Sequence, residues 1–192
     1  MTIPIPTRPS GYQRGPCDAL VQVEAFLDIE CPFSKKAWST LVAIADEYVD
    51  REVRFTLHPV VLANHRQSWD VTKVAVILAA DDPVRFWDVF NYLYERQDQY
   101  TEAALLQQTH VDLYNLLAQF AAEYSDWQDE TEFIRQLTSD RVEQETKVPI
   151  RYAISRSVWS TPTFFINGSE ASQLSSSSSL ADWKSILDPL LP

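Results

Sequence analysis

Val21-Gln22-Val23-Glu24-Ala25-Phe26-Leu27-Asp28-Ile29-Glu30-Cys31-Pro32-Phe33-Ser34 passes from one periodicity to another at a single cysteine. Val21, Val23 and Phe26-Leu27, among β-branched neighbours, read as a strand ending at Asp28. Beyond Pro32, residues Trp38, Leu41, Val42, Ile44, Ala45 and Tyr48 recur at helical spacing to about Val49. Pro32 suits a first helical position, because that N–H has no partner in a helix. Cys31 therefore falls at or beside the N-cap. A second strand follows from Val53 to about Val61, so strand, helix and strand form a βαβ unit.

A cysteine at a helix start meets free backbone N–H groups and the positive end of the helix dipole. Both favour the thiolate, which is the nucleophilic form. The dipole alone contributes roughly 0.3–2 kcal/mol. Backbone donors, the Ser34 hydroxyl and the charges of Lys35 and Lys36 must supply the rest, against the neighbouring charge of Glu30.

Outward from this unit, residues 1–16 read as an N-terminal arm with Pro4, Pro6, Pro9 and Pro16. Residues 62–157 carry helical periodicity almost throughout. Asp70 to Ala80 is one expected helix, and Asp81-Asp82-Pro83 ends it and opens another. Thr109-x-x-Asp112 has the form of a capping box before Leu113 to Tyr124. Thr131 to about Ser157 reads as one further helical run containing Pro149. Between positions 66 and 147, 16 acidic residues face 7 basic ones, the pattern of a solvated acidic surface. After Trp159, Thr163 to Ile166 reads as a strand and Asn167-Gly168 as a hairpin turn, with a second strand expected near Ala171–Leu174. Ser179 and Asp182 form a second capping pair, opening a last helix from Leu180 to about Leu190.

The chain has 192 residues, 45% hydrophobic, enough for a substantial core, and a net charge of −11. That charge repels nucleic acid and anionic lipid, so neither is an expected partner. Three glycines exclude a glycine-rich phosphate cradle. No apolar run reaches membrane-spanning length, and residues 1–15 lack an apolar signal core, so a cytoplasmic location is expected. Cys17 and Cys31 cannot form a disulfide framework or a four-ligand zinc site. They should lie at opposite ends of the first strand, so no bridge between them is expected. Cys17 reads as a small packing residue. His58, His65 and His110 do not cluster at ligand spacing, and no metal is expected. Trp38 and Trp159 are candidates to wall the site, and Trp69 and Trp87 read as helical core.

Two stretches together resemble the DsbA-like thioredoxin-fold family. One is Val23 to Ser34, where a strand runs into Cys31-Pro32-Phe33-Ser34. The other is Ser160-Thr161-Pro162-Thr163-Phe164-Phe165-Ile166-Asn167-Gly168. His58-Pro59 followed by His65 and a helix is similar to that family's strand-to-helix join. The resemblance spans about residues 17–190. It implies an α/β thioredoxin-like fold, with a central mixed sheet flanked by helices. In that reading 17–61 and 158–192 form the thioredoxin-like domain and 62–157 an inserted all-helical subdomain. It further implies a cis Thr161-Pro162 bond facing Cys31, and an extended substrate peptide paired with the backbone at Thr161. The site residues so expected are Cys31, Ser34 and Pro162 as catalytic, with Pro32, Phe33, Thr161 and Trp159 binding substrate.

The chain departs from the family's pattern in three places, one being Ser157 and Ser160 where glycines are often seen near the Thr-Pro motif. Ser34 stands where a second cysteine is usual, so an intramolecular disulfide cannot close at this motif. Ala25 stands where an acid is usual, six residues before the cysteine, and Glu24 should point to the opposite face of the strand. The reading that follows is a monothiol oxidoreductase or isomerase. Cys31 forms a mixed disulfide with a peptide or protein, and an external thiol such as glutathione, bound as no permanent cofactor, resolves it. Two alternatives stay open. One is a redox-inactive module that binds peptide over Pro162. The other is a glutathione transferase or isomerase resembling the kappa class, against which stands Cys31 at the position of that class's serine.

Overall fold

The computed structural model describes residues 5–6, 8–48, 50–125 and 127–192. The expected arm positions Met1 and Pro4 and the helix end at Val49 lie outside them. Strands β1 (Tyr12–Arg14), β2 (Val21–Asp28), β3 (Val53–Val60), β4 (Thr163–Ile166) and β5 (Ser169–Glu170) form one mixed sheet in the order β1-β3-β2-β4-β5. β2 and β3 run parallel, joined by α1 (Pro32–Tyr48), and all other pairs are antiparallel.

Alternation along β2 and β3 decides which side each residue serves. Val21, Val23, Ala25 and Leu27, with Val53, Phe55 and Leu57, join the main core. Leu41, Ile44, Ala45 and Tyr48 of α1 pack there, as do Trp183 and Leu187 of the last helix, α8 (Leu180–Leu187). The other face is more polar. It carries Gln22, Glu24, Arg54, Thr56 and His58, and only a small apolar cluster of Phe26, Val60, Ala153 and Phe165.

Between β3 and β4 the structure is helical: α2 (Ser68–Ala79), α3 (Pro83–Glu95), α4 (Gln97–Tyr100), α5 (His110–Ser125), α6 (Glu130–Leu137) and α7 (Asp140–Ser155). α2 is buried along almost its whole length, the mark of a helix surrounded by others. Asp82 caps α3 through the N–H groups of Val84 and Arg85, and Thr109 and Asp112 bond reciprocally at the start of α5. The Ser179–Asp182 capping box opens α8, which ends at Leu187 and closes in a 3-10 turn, Asp188–Leu190.

Four expectations change. The expected arm contains β1, which pairs antiparallel with β3. Three residues between Gly11 and Gly15 are too short a run to show alternation. Both glycines have positive φ, and a side chain at Gly15 would meet the Val53 carbonyl at 2.4 Å. The single helix expected over 131–157 is two, because Ser139 takes an extended backbone and accepts from the Val142 N–H, starting a new helix. Pro149 lies inside the second of these. α4 is not among the expected elements, because it has too few residues to show periodicity. Finally, β5 begins directly after Asn167-Gly168, not at Ala171. Both turn residues have positive φ, which closes the hairpin in two residues and pairs Ile166 with Ser169.

Among the described residues no helix is long and apolar enough to cross a membrane.

Candidate active site

β2 ends at Asp28, a short turn follows in which the Cys31 N–H donates to the Asp28 carbonyl, and α1 starts at Pro32. Cys31 thus sits immediately before the helix, and its carbonyl accepts from the Lys35 N–H. The Thr161-Pro162 peptide bond is cis, and the Cys31 thiol donates to the Thr161 carbonyl at 3.4 Å. Cys31 is 3% exposed, whereas Phe33 is 60% and Trp159 87% exposed. Thr161 is buried, and its hydroxyl has no hydrogen-bond partner among the described residues. Pro32 is exposed and Pro162 half-buried. Cys31, Thr161 and Pro162, 130 residues apart in sequence, therefore form one site, with the exposed Phe33 on the first turn of α1 and Trp159 two residues before Thr161.

The turn that carries Cys31 is held from behind by the inserted helices. Gln97 Nε2 donates to the carbonyls of Ile29 (2.9 Å) and Cys31 (3.2 Å). Tyr94 donates to the Asp28 carbonyl at 3.1 Å, and Tyr100 to that of Ile29 at 3.2 Å. Burial, more than any neighbouring charge, drives the hydroxyls of Tyr94 and Tyr100 well above the ordinary tyrosine range, so they act as fixed donors.

Two buried carboxylates complete this support. Asp28 accepts from the Glu30 and Leu62 N–H groups and from the Ser68 hydroxyl, and lies 3.0 Å from His65 Nδ1. Glu30 accepts from the N–H groups of Gln67, Ser68 and Glu102. Burial raises the Glu30 pKa, and its backbone donors pull the other way. The charge of Glu30, expected to oppose the Cys31 thiolate, is thus directed at the N-terminus of α2, where an anion is favoured.

Several expected contributions fall elsewhere. Ser34 is fully buried, and its hydroxyl accepts from the Asp28 N–H at 3.3 Å; no hydrogen bond joins it to the Cys31 sulfur. The helix turn carries residue 34 inward, away from the surface the thiol faces. Lys36 donates to Ser177. Trp38 does not wall the site. It packs among Trp87, Phe90 and Tyr94, with its N–H on Asn91. Trp87 is core, as expected, whereas Trp69 is half-buried and donates to Glu143. Cys17 is exposed rather than packed, and both cysteines are free.

Ala25 lies buried against Leu57 and Phe164, so no ionisable group occupies that position. Glu24 faces the other side of the sheet, where it accepts from the Tyr152 hydroxyl at 2.6 Å and lies 3.3 Å from His58 Nε2. His65 meets Asp28 and His110 meets Asp70. Among the described residues, no three His, Cys, Asp or Glu side chains gather as a metal site.

Gln97, Tyr94 and Tyr100 escape sequence reasoning because a glutamine and two tyrosines at helical positions have no motif; only their contacts mark them. Asp28 and Glu30, flanking the turn, are the available signal: two acids in a strand-to-helix join must find donors if buried.

The family model described as thioredoxin matches residues 7–189. No curated protein matches the chain. Solved structures share the fold. A candidate protein-disulfide isomerase from Pseudomonas syringae is 20% identical, with a TM-score of 0.75 over 91% of this chain and 96% of that one. DsbA from Chlamydia trachomatis is 18% identical, with a TM-score of 0.71 over 96% and 93%. BdbD from Bacillus subtilis is 21% identical, with a TM-score of 0.69 over 94% and 90%.

Proposed function

Because the chain belongs to the thioredoxin family, in its DsbA-like form, we propose that it is a thiol–disulfide oxidoreductase working with one thiol. The Cys31 thiolate attacks a substrate disulfide, a new Cys31–substrate S–S bond forms, and the substrate's other sulfur leaves and takes the proton released from Cys31. A second thiol, for which glutathione is the proposal, then attacks the mixed disulfide. It joins the Cys31 sulfur and releases the second substrate sulfur as a thiol; a second glutathione then attacks the Cys31–glutathione bond, forming oxidised glutathione and returning Cys31 to the thiol. Electrons pass from glutathione to the disulfide, and no bound cofactor takes part. A reducing thiol pool is needed, so the reaction belongs in the cytoplasm.

The observation that carries this reading is the 3.4 Å contact between the Cys31 sulfur and the Thr161 carbonyl. An extended peptide paired with the backbone at Thr161 would lie directly across the sulfur. Phe33 and Trp159, large and exposed, supply the apolar surface that such a peptide needs. Ser34, buried on the Asp28 N–H, serves as a positioning residue for the turn.

A second reading has one observation of its own. With Cys31 only 3% exposed and no second thiol in its motif, the same surface can bind peptide without chemistry. The two readings separate with one variant. Wild-type protein and Cys31→Ala are assayed for glutathione-dependent reduction of a peptide disulfide, and for binding of the reduced peptide. Turnover that disappears in Cys31→Ala, with a trapped mixed disulfide when glutathione is withheld, supports the enzyme. Binding that survives in Cys31→Ala, with no turnover and no mixed disulfide in the wild type, supports the binding module and overturns the proposal.

A further inference from the structure

A large cavity lies away from Cys31, which is not among its lining residues. It is a cleft of about 900 Å3 on the polar face of the sheet, between the strands, α7 and the N-terminal arm. Glu24 and His58 floor it, and Arg54, Arg151 and Tyr152 line its walls. Arg156, bonded to the Gly168 carbonyl and 3.8 Å from Glu24, stands beside it.

Charge inverts here. The chain carries −11, yet two guanidinium groups line this cleft and a third stands beside it, with one carboxylate among the lining residues. That carboxylate is already satisfied. Burial alone would raise the Glu24 pKa, but the His58 and Tyr152 contacts and Arg156 outweigh it and hold Glu24 ionised. His58 adds no charge at neutral pH, since burial lowers its pKa against the pull of Glu24. Arg156 answers Glu24. Among the described residues, Arg54 and Arg151 are left with no carboxylate of their own.

Their hydrogen bonding is also incomplete. Arg54 gives one nitrogen to the Cys17 carbonyl, and its Nε is buried without a partner. The Arg151 side chain makes no hydrogen bond and no ion pair with any described residue, although its Nη1 is buried. His58 is 1% exposed. Its Nε2, though 3.3 Å from Glu24, is off the line of a hydrogen bond and remains unpartnered. Buried cationic donors without partners are costly, and an anion with planar oxygens relieves that cost through the guanidinium fork. Val148 and Tyr152 offer the carbon skeleton of such an anion an apolar surface.

We infer that this cleft binds a small organic dicarboxylate, with Arg151 and Arg54 each taking one carboxylate. Two uncompensated cations call for two negative charges, and the volume and apolar wall call for an organic molecule rather than an inorganic ion. Cys31 does not line the cleft, so this inference is independent of the redox proposal.

The test titrates succinate, acetate, succinamide and inorganic phosphate separately into the full chain by calorimetry, at low and at physiological salt. Succinate should bind saturably, acetate at least 10-fold more weakly, and neutral succinamide not at all. Arg151→Gln, which removes no side-chain hydrogen bond or ion pair among the described residues, should fold normally and weaken succinate at least 10-fold. Arg151→Lys, which keeps the charge and loses the fork, should fall between. Arg54→Gln should also weaken binding, and Cys31→Ala should leave it unchanged. Absence of saturable succinate binding overturns the inference, as does equal binding in Arg151→Gln. Phosphate binding more tightly than succinate, with the same dependence on Arg151, overturns the dicarboxylate assignment.

Discussion

Replacing Gln97 by leucine keeps the volume of the side chain and removes both hydrogen bonds that tie α4 to the cysteine turn. The cost follows from what each carbonyl retains. The Ile29 carbonyl keeps a share of the single Tyr100 hydroxyl hydrogen, which also faces the Leu93 carbonyl at 3.0 Å, and that of Cys31 keeps the Lys35 N–H. Neither is left bare, so the larger penalty for an orphaned buried acceptor does not apply. Each lost bond is then worth about 0.5–1.5 kcal/mol, or about 1–3 kcal/mol for the pair. In a domain of this length that lowers Tm by roughly 2–4 °C per kcal/mol. The second consequence is local. With its turn less firmly held, the nearly buried Cys31 should open more often, and alkylation by iodoacetamide should accelerate about 5-fold or more under native conditions. Exposed Cys17 should react at an unchanged rate and serves as the internal standard. The assay is calorimetric unfolding with peptide-resolved alkylation. A lower Tm with unaltered Cys31 reactivity would show that Gln97 braces the fold but not the turn. No change in either would refute the clamp altogether.

Ser34→Cys places a second thiol one helical turn after Cys31; mild oxidation should then close a disulfide between Cys31 and the introduced thiol, and a single reduction of substrate should complete without glutathione, which further turnovers still require. Mass spectrometry of the oxidised protein checks this, and two persistently free thiols at the motif would count against it. The buried His58 predicts a pH effect on stability. Its folded pKa is lowered, by burial, from the ordinary 6.5. Below that value the unfolded chain takes up a proton that the folded chain refuses, so stability should fall as pH drops from about 7 towards 5. His58→Gln should flatten that part of the profile in urea unfolding; an unchanged slope would assign it to other groups.

The strand-to-helix join at Cys31, the hairpin turn at Asn167-Gly168 and the capped helices were legible in the chain. Each rests on local rules: alternation, helical period, capping pairs, and turn residues that accept positive φ. The βαβ unit at the centre of the fold follows from them. Short elements were not legible. β1 has three residues and α4 four, too few for any period, and their placement depends on β3 and on the turn they support.

At the site, the sequence determined which cysteine sulfur stands at the helix start and that no second thiol stands three positions later. Its chemistry depends on side-chain type and on the backbone of its own turn, both local. The surroundings of that sulfur were decided only by the tertiary structure. Ser34 faces inward because α1 packs that face on the core. Glu30 turns from an opposing charge into a helix cap because α2 begins beside it. Gln97, Tyr94 and Tyr100 reach the turn because the inserted helices dock there, and three arginines gather on an acidic chain because α7 crosses the polar face of the sheet. Each is a pairing across long separations, where burial and donor geometry, not neighbours in sequence, set what a side chain does.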